Sequence, residues 1–545
     1  MQQNMLTLRT LSGRDIITPN SSTFFEGFAG ESEVRFEHNP DGIDLVFTLR
    51  NNTAQPMPLG RLVFGGIRLG DRLDSFDFRR GLEEWTYNNQ GRENHFPTAF
   101  TYPNDAYSPV MVLGNDHHWL GFSLLYPLME YNHPARLHMM TLSGPFARSG
   151  RNWTLQITLM DELQPAEARE YAVAIRLAPR DDSTDHDWLR TLTPYRTYFH
   201  DQFGPVQYER NTMPVRGVIL AQNAQARDNN PYGYINNDLR SDIRGLKPTA
   251  DHLQRFAEQG WSRMMLWAPS GVFQHHQNLN FPFQFITPLL DRPASARTLH
   301  ELAAVGRDVD LGLWWGRSHQ VMHGWDNGQF ERLDPNNPTH LQAARAELSA
   351  ARQINASTIG LDAFAYMPPA EAYAWVRQMR QENPGVLFVT EHSQADFLHT
   401  IAPTYIAGHN KFSPHVLADF LNPGHETWAG IRVDFVANRL GKARLNQQEI
   451  LLELERVARL GFVPVSWFDL HPDSRLTPAL LRRLEARPTW ETSVPPDLQI
   501  ASAPDEPDHN DPDSPPDRET VVLTLAPRPP SDPTPPSDPA PKRPT

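Results

Sequence analysis

Period-two alternation runs through the first third of the chain. Stretches such as GIDLVFTLRNN, WLGFSLLYPL, NWTLQITLMDEL and REYAVAIRLAP place apolar residues at every second position, and Gly, Pro, Asn and Asp clusters separate them. Half-buried strands have this pattern, and the spacing predicts an all-β sandwich over residues 1–185. The character changes over 186–210. Trp188, Leu192, Tyr195 and Phe199 recur at helical spacing, with Pro194 interrupting. This predicts a linker helix with an aromatic face packed between two domains. From Pro214 the rhythm becomes strand, then helix. Candidate strands are VRGVILAQ (215–222), SRMMLWAP (262–269), DLGLWWGRS (310–318), STIGLDAFAY (357–366), GVLFVTEHS (385–393) and FVPVSWFDL (462–470). Weaker candidates lie at 404–407, 415–420 and 431–437.

Helical segments fill the intervals. TADHLQRFAEQG has Thr249 placed as an N-cap and Gly260 placed to end the helix. LQAARAELSAARQ and NQQEILLELERVARLG are rich in strong helix formers, and LTPALLRRLEAR closes the series. The expected architecture is therefore multidomain: an N-terminal all-β sandwich, then a (β/α)8 TIM barrel over 211–492. A doubly wound sheet would be the alternative, but no GxGxxG or P-loop accompanies it. Residues 493–545 are rich in Pro, Asp and Ser and are expected to be a disordered tail, because they cannot bury enough apolar surface to offset ordering entropy. Within it VVLTL (521–525) is an isolated apolar run, read as a bystander rather than a docking strand.

Charge and composition narrow the chemistry. The net charge is −14 over 545 residues, with a pI near 5.9. Nucleic acid and anionic membrane surfaces are excluded as partners, since phosphate binding needs a basic stripe. With no cysteine, disulfides and thiolate metal sites are excluded. The N-terminus lacks the apolar core of a secretory signal, and no 18-residue apolar run exists, so a cytoplasmic location is expected.

In a barrel of parallel strands, side chains at the C-terminal strand ends face the active-site mouth. Asp362 interrupts an apolar strand, and an isolated carboxylate there is costly unless paired or functional. Its bland alternative is bonding to loop amides or capping the next helix. Glu391 follows Leu387, Phe388 and Val389, and its alternative is a salt bridge to a barrel arginine. Asp396 could replace it as the acid, although the first turn of the following helix suits it better. Paired carboxylates are what glycoside cleavage needs, one at the anomeric carbon and one protonating the leaving oxygen. Adjacent strand ends favour the short separation of a retaining enzyme, so Asp362 is assigned as nucleophile and Glu391 as acid/base. Trp267, Trp314, Trp315, Arg317, His319, Asp434, Trp467 and Asp469 are candidate substrate-binding residues. Of Trp314 and Trp315, only one can point into the barrel. The adjacent histidines of QHHQN point different ways, no HExxH or GxSxG occurs, and neither a metal nor an organic cofactor is expected.

With IGLDAFAY around Asp362 and FVTEHS around Glu391, the chain resembles retaining glycoside hydrolases of the broad α-glycosidase type. The resemblance is to α-amylase-like and endo-α-N-acetylgalactosaminidase-like barrels, with Asp on strand four and Glu on strand five. In layout it extends to α-galactosidase-like enzymes, whose second carboxylate is a strand-six Asp that would fall near Asp419 here. Amylase-like enzymes carry an Arg two residues before the nucleophile, where this chain has Gly360. The resemblance implies an oligosaccharide or polysaccharide substrate. The alternative reading is a catalytically silent barrel that binds carbohydrate or a protein.

Overall fold

In a computed structural model the chain is described over most of residues 23–498 and over 520–525. The longer stretches outside that description are 1–22, 68–74, 89–98, 128–134, 142–152, 220–245, 280–295, 408–414, 467–476, 499–519 and 526–545. Most of the tail expected to be disordered lies among them.

Alternation becomes sheet in the N-terminal region. In the strand Gly42–Arg50, Ile43, Leu45, Phe47 and Leu49 are buried and the residues between them are largely half-buried. Each buried side chain of this size contributes about 1.5–3 kcal/mol. Two larger antiparallel sheets result, beside a two-stranded one of Met57–Pro58 and Glu162–Leu163. One has five strands, in the order Thr23–Glu26, Arg61–Ile67, Trp153–Leu159, Ala135–Thr141, Ala99–Tyr102. The other has eight strands and is centred on Gly42–Arg50, Ala168–Pro179 and His118–Leu125. Its edge corrects one expectation. Thr520–Leu525 is no bystander: it pairs antiparallel with Glu31–Asn39, Val34 opposite Leu523.

Eight parallel strands close a barrel, in chain order throughout. They are Val215–Ile219, Arg263–Trp267, Asp310–Trp315, Thr358–Leu361, Leu387–Glu391, Thr404–Ala407, Thr427–Gly430 and Val463–Ser466, numbered one to eight below. Two sequence expectations fail here. Residues 415–420, a weak strand candidate, belong to the helix His415–Leu421. Strand seven instead runs over Thr427–Gly430, a buried TWAG too short to show a period. The helix before strand two starts at Leu246, so Thr249 lies inside it and not at its cap. Gly260 does follow its end, at φ 97°, where a side chain would be strained. Asn446 and Glu449 form a capping box that starts the helix before strand eight.

Among the described residues between strands five and six stands only the 3-10 turn Asp396–Thr400. The linker supplies the missing cover. Pro194 sits in the first turn of the helix Thr193–Phe203 and so helps to start it rather than break it. Phe203 meets Tyr373 of the helix after strand four at 5.7 Å and stacks on Phe397 at 5.8 Å. Arg196 lies 4.6 Å over the Phe420 ring, and His200 bonds the Leu421 carbonyl, both on the helix after strand six. The linker helix thus lies between those two helices, where a helix five would lie. Ahead of it, the 3-10 turn Asp187–Leu192 presses on the eight-stranded sheet, where a side chain at Gly121 would fall 2.3 Å from Thr191 Oγ1.

Candidate active site

The barrel interior is layered. At the N-terminal end Arg263 donates to Glu426 Oε1 at 2.6 Å, with side chains 3% and 0% exposed. The Asn211 N–H and the Trp428 indole also donate to Glu426. Above lie Val215, Met265, Val389, Trp428, Val463 and Val465. Next comes an aromatic layer of Trp267, Trp314 and Tyr405. Trp267 and Trp314 stack at 4.8 Å, and Tyr405 meets the Trp314 ring at 5.2 Å and 72°.

The carboxylates sit above this layer. Alternation along strand four turns Gly360 inward, Leu361 outward and Asp362 inward again. Pairing of Leu361 with Thr390 then sets Asp362 level with Glu391, the last residue of strand five. Neighbouring strands lie about 4.7–4.9 Å apart. The Trp314 indole N–H donates to Asp362 Oδ1 at 3.2 Å. The Asp362 carbonyl accepts from the Ser318 N–H at 3.1 Å and from its hydroxyl at 3.0 Å. Immediately after it Ala363 adopts a left-handed conformation, φ 54°. For a residue with a side chain this costs about 1–2 kcal/mol. The Ala363 N–H donates to Glu391 Oε2 at 2.7 Å, which joins the two strand ends through one backbone bond. Both Asp362 and Glu391 are half-buried, neither sealed in nor fully exposed.

The other candidates separate. Trp267 and Trp314 are buried in the layer beneath the carboxylates, 7% and 1% exposed. Trp315 faces outward and packs on Trp375 at 5.8 Å, which removes it from the substrate-binding set. Strand parity decides this: with Trp314 inside, its neighbour must lie among the helices. His319 is buried behind Tyr366, ring centroids 5.5 Å apart. Arg317, Asp434, Trp467 and Asp469 lie outside the described residues.

The rival acids are placed elsewhere. Asp419 is on a helix, 1% exposed, and bonds His425 at 3.0 Å, so it is not a strand-six carboxylate. The residues after strand six, GHNKFSP, contain no carboxylate at all. Asp396 does open the turn after strand five, but both oxygens are occupied at the junction with the N-terminal region. Tyr102 donates to Oδ1 at 2.8 Å and Tyr195 to Oδ2 at 2.6 Å. Burial pushes its carboxyl up to about 6, against the opposing pull of these hydrogen bonds. Beside it Tyr107 bonds His399 at 2.5 Å, and burial holds both His399 and His425 well below the usual histidine range.

Sequence reasoning missed Tyr366. It is 71% exposed, on the 3-10 turn that follows Asp362. Its position four residues beyond a strand-end carboxylate was a signal already visible in IGLDAFAY. Among the described residues no group of three or more His, Cys, Asp and Glu side chains could hold a metal ion. No described helix is long and apolar enough to cross a membrane.

No family model and no curated protein matches the chain. Solved structures do. An α-galactosidase from Thermus thermophilus, in complex with stachyose, matches at 13% identity and TM-score 0.40, over 85% of this chain and 98% of that one. An α-amylase from Geobacillus thermoleovorans, complexed with acarbose, matches at 12% identity and TM-score 0.32, over 53% and 81%. A maltogenic amylase from S. marinus matches at 8% identity and TM-score 0.34, over 88% and 87%. At these scores the likeness carries no argument about this chain's chemistry, which rests on the site itself.

Proposed function

We propose that the chain is a retaining glycoside hydrolase acting on α-linked glycans, with Asp362 as nucleophile and Glu391 as acid/base. The observation that carries this is the Ala363 N–H bond to Glu391, which holds two half-exposed carboxylates side by side at adjacent strand ends of a closed barrel. A retaining pair requires carboxylates about 5–5.5 Å apart. In the first step an Asp362 oxygen attacks the anomeric carbon while the bond to the leaving oxygen breaks and that oxygen takes the Glu391 proton. In the second step Glu391 takes a proton from water, the water oxygen attacks the same carbon, and Asp362 leaves. An acid that accepts an N–H on Oε2 can still carry its proton on Oε1. Absence of a carboxylate in the segment after strand six supports Glu391 over an aspartate on that strand. The two N-terminal sheets are read as the layers of a sandwich flanking the barrel.

The test is turnover of a panel of p-nitrophenyl α-glycosides and oligosaccharides. Asp362→Asn is expected to lower kcat by a factor of about 10³ or more on every accepted substrate, with the urea midpoint unchanged. Glu391→Gln is expected to lose most on substrates with poor leaving groups, because those need the proton. Full turnover by both variants would remove the pair from the chemistry. A wild-type chain that binds glycans and cleaves none would leave the carbohydrate-binding barrel as the better reading.

A further inference from the structure

Trp314 does more than fill the barrel. Its ring is fixed from three sides. Trp267 stacks on it at 4.8 Å and 23°, Tyr405 closes the edge at 5.2 Å, and Gly360 lies beneath. A methyl group at Gly360 would fall 1.9 Å from Trp314 Cε3, so the bare backbone is what lets the indole lie there. Packing of that kind leaves one orientation, and in it the indole N–H points at Asp362 Oδ1, 3.2 Å away. The outer tryptophans set a standard for comparison. Trp315 and Trp375 are equally buried, yet among the described residues neither indole N–H has a hydrogen-bond partner. Burial of a tryptophan in this protein does not by itself bring its N–H to an acceptor.

We propose that Trp314 is a positioning residue for Asp362: the locked indole holds Oδ1, stops rotation of the carboxylate, and presents the same oxygen to the anomeric carbon in every turnover. The proposal rests on the glycosidase reading of Asp362. An indole suits this task, since it orients the carboxylate oxygen while adding no charge of its own. It also explains Gly360. Here the strand-three tryptophan occupies the space that a side chain at 360 would need.

The experiment has two arms. Indole N–H resonances of the 13 tryptophans are recorded for the wild-type chain labelled with ¹⁵N-tryptophan, and for Asp362→Asn and Trp314→Phe. The resonance lost in Trp314→Phe is expected to move upfield in Asp362→Asn, while the others stay. The second arm measures kinetics on an accepted glycoside. Trp314→Phe keeps the ring and loses the N–H, and is expected to lower kcat about 10- to 100-fold with KM within about 2-fold. A resonance indifferent to Asp362→Asn overturns the proposal, and so does a normal kcat in a folded Trp314→Phe. Should that variant not fold, the Asp362→Asn spectrum decides: one and only one indole signal must move. If the wild-type chain cleaves nothing, the functional reading falls while the resonance arm still settles whether the indole holds this carboxylate.

Discussion

The two ends of the barrel hold the same kind of group in opposite ways. At the N-terminal end Glu426 is fully buried and its oxygens receive a guanidinium, a backbone N–H and an indole. At the C-terminal end Asp362 and Glu391 are half-buried and are held by an indole and a backbone N–H. Saturation by a buried cation makes Glu426 a structural plug. The upper pair stays half-buried at the mouth, as the proposed chemistry needs. A carboxylate inside a barrel is thus assigned by what holds it, and residue type says nothing about which role it has.

Four measurements break or sharpen that contrast. Glu426→Gln removes the charge facing buried Arg263 and is expected to cost about 3–5 kcal/mol in urea unfolding, the price of an uncompensated buried ion. A comparable cost at Asp362→Asn would erase the distinction between the two ends. Next is Phe203→Ala, which opens the seam where the linker helix replaces a barrel helix. It is expected to cost about 3–5 kcal/mol in a single cooperative transition. Two separate transitions in the wild-type chain would show instead that sheets and barrel fold independently.

The junction carboxylate gives a smaller and pH-dependent effect. Asp396 is raised by burial from its ordinary value to about 6. The folded form therefore binds the proton more tightly than the unfolded form, so the stabilising contribution is complete below about pH 4 and is lost as pH rises through about 6. The expected loss is about 2–3 kcal/mol between those limits. His399 and His425, held neutral by burial, act in the opposite sense, since the unfolded chain protonates them as pH falls below their ordinary value, so the Asp396 contribution is read as the difference between wild type and Asp396→Asn. The wild-type minus Asp396→Asn difference in stability should shrink as pH rises from about 4 to about 6, and a difference that does not change with pH would assign the effect to other groups. Smallest is Tyr366→Ala at the mouth. Loss of one stacking face is expected to raise KM about 3- to 10-fold on an oligosaccharide, with stability within about 0.5 kcal/mol of wild type. A change in kcat alone would place Tyr366 nearer the reacting atoms than the proposal does.

Much of this was legible from local pattern. Period-two runs marked sheet, strand–helix alternation marked the barrel, and an acid ending an apolar run marked Asp362 and Glu391. Those signals are local because backbone geometry repeats within a few residues. Strand parity even showed that Trp314 and Trp315 must part. Which of them faces inward was settled by Gly360, whose missing side chain admits the Trp314 ring. Strand seven escaped because four buried residues show no period. The replacement of a barrel helix by the linker, the burial of Asp396 between Tyr102 and Tyr195, and the pairing of Thr520–Leu525 with Glu31–Asn39 join residues far apart in sequence. The chain by itself determined its elements and where its carboxylates fall on them. Only tertiary structure decided which carboxylate is sealed against a cation and which stays half-buried at the mouth, because that depends on partners brought close by closure of the barrel.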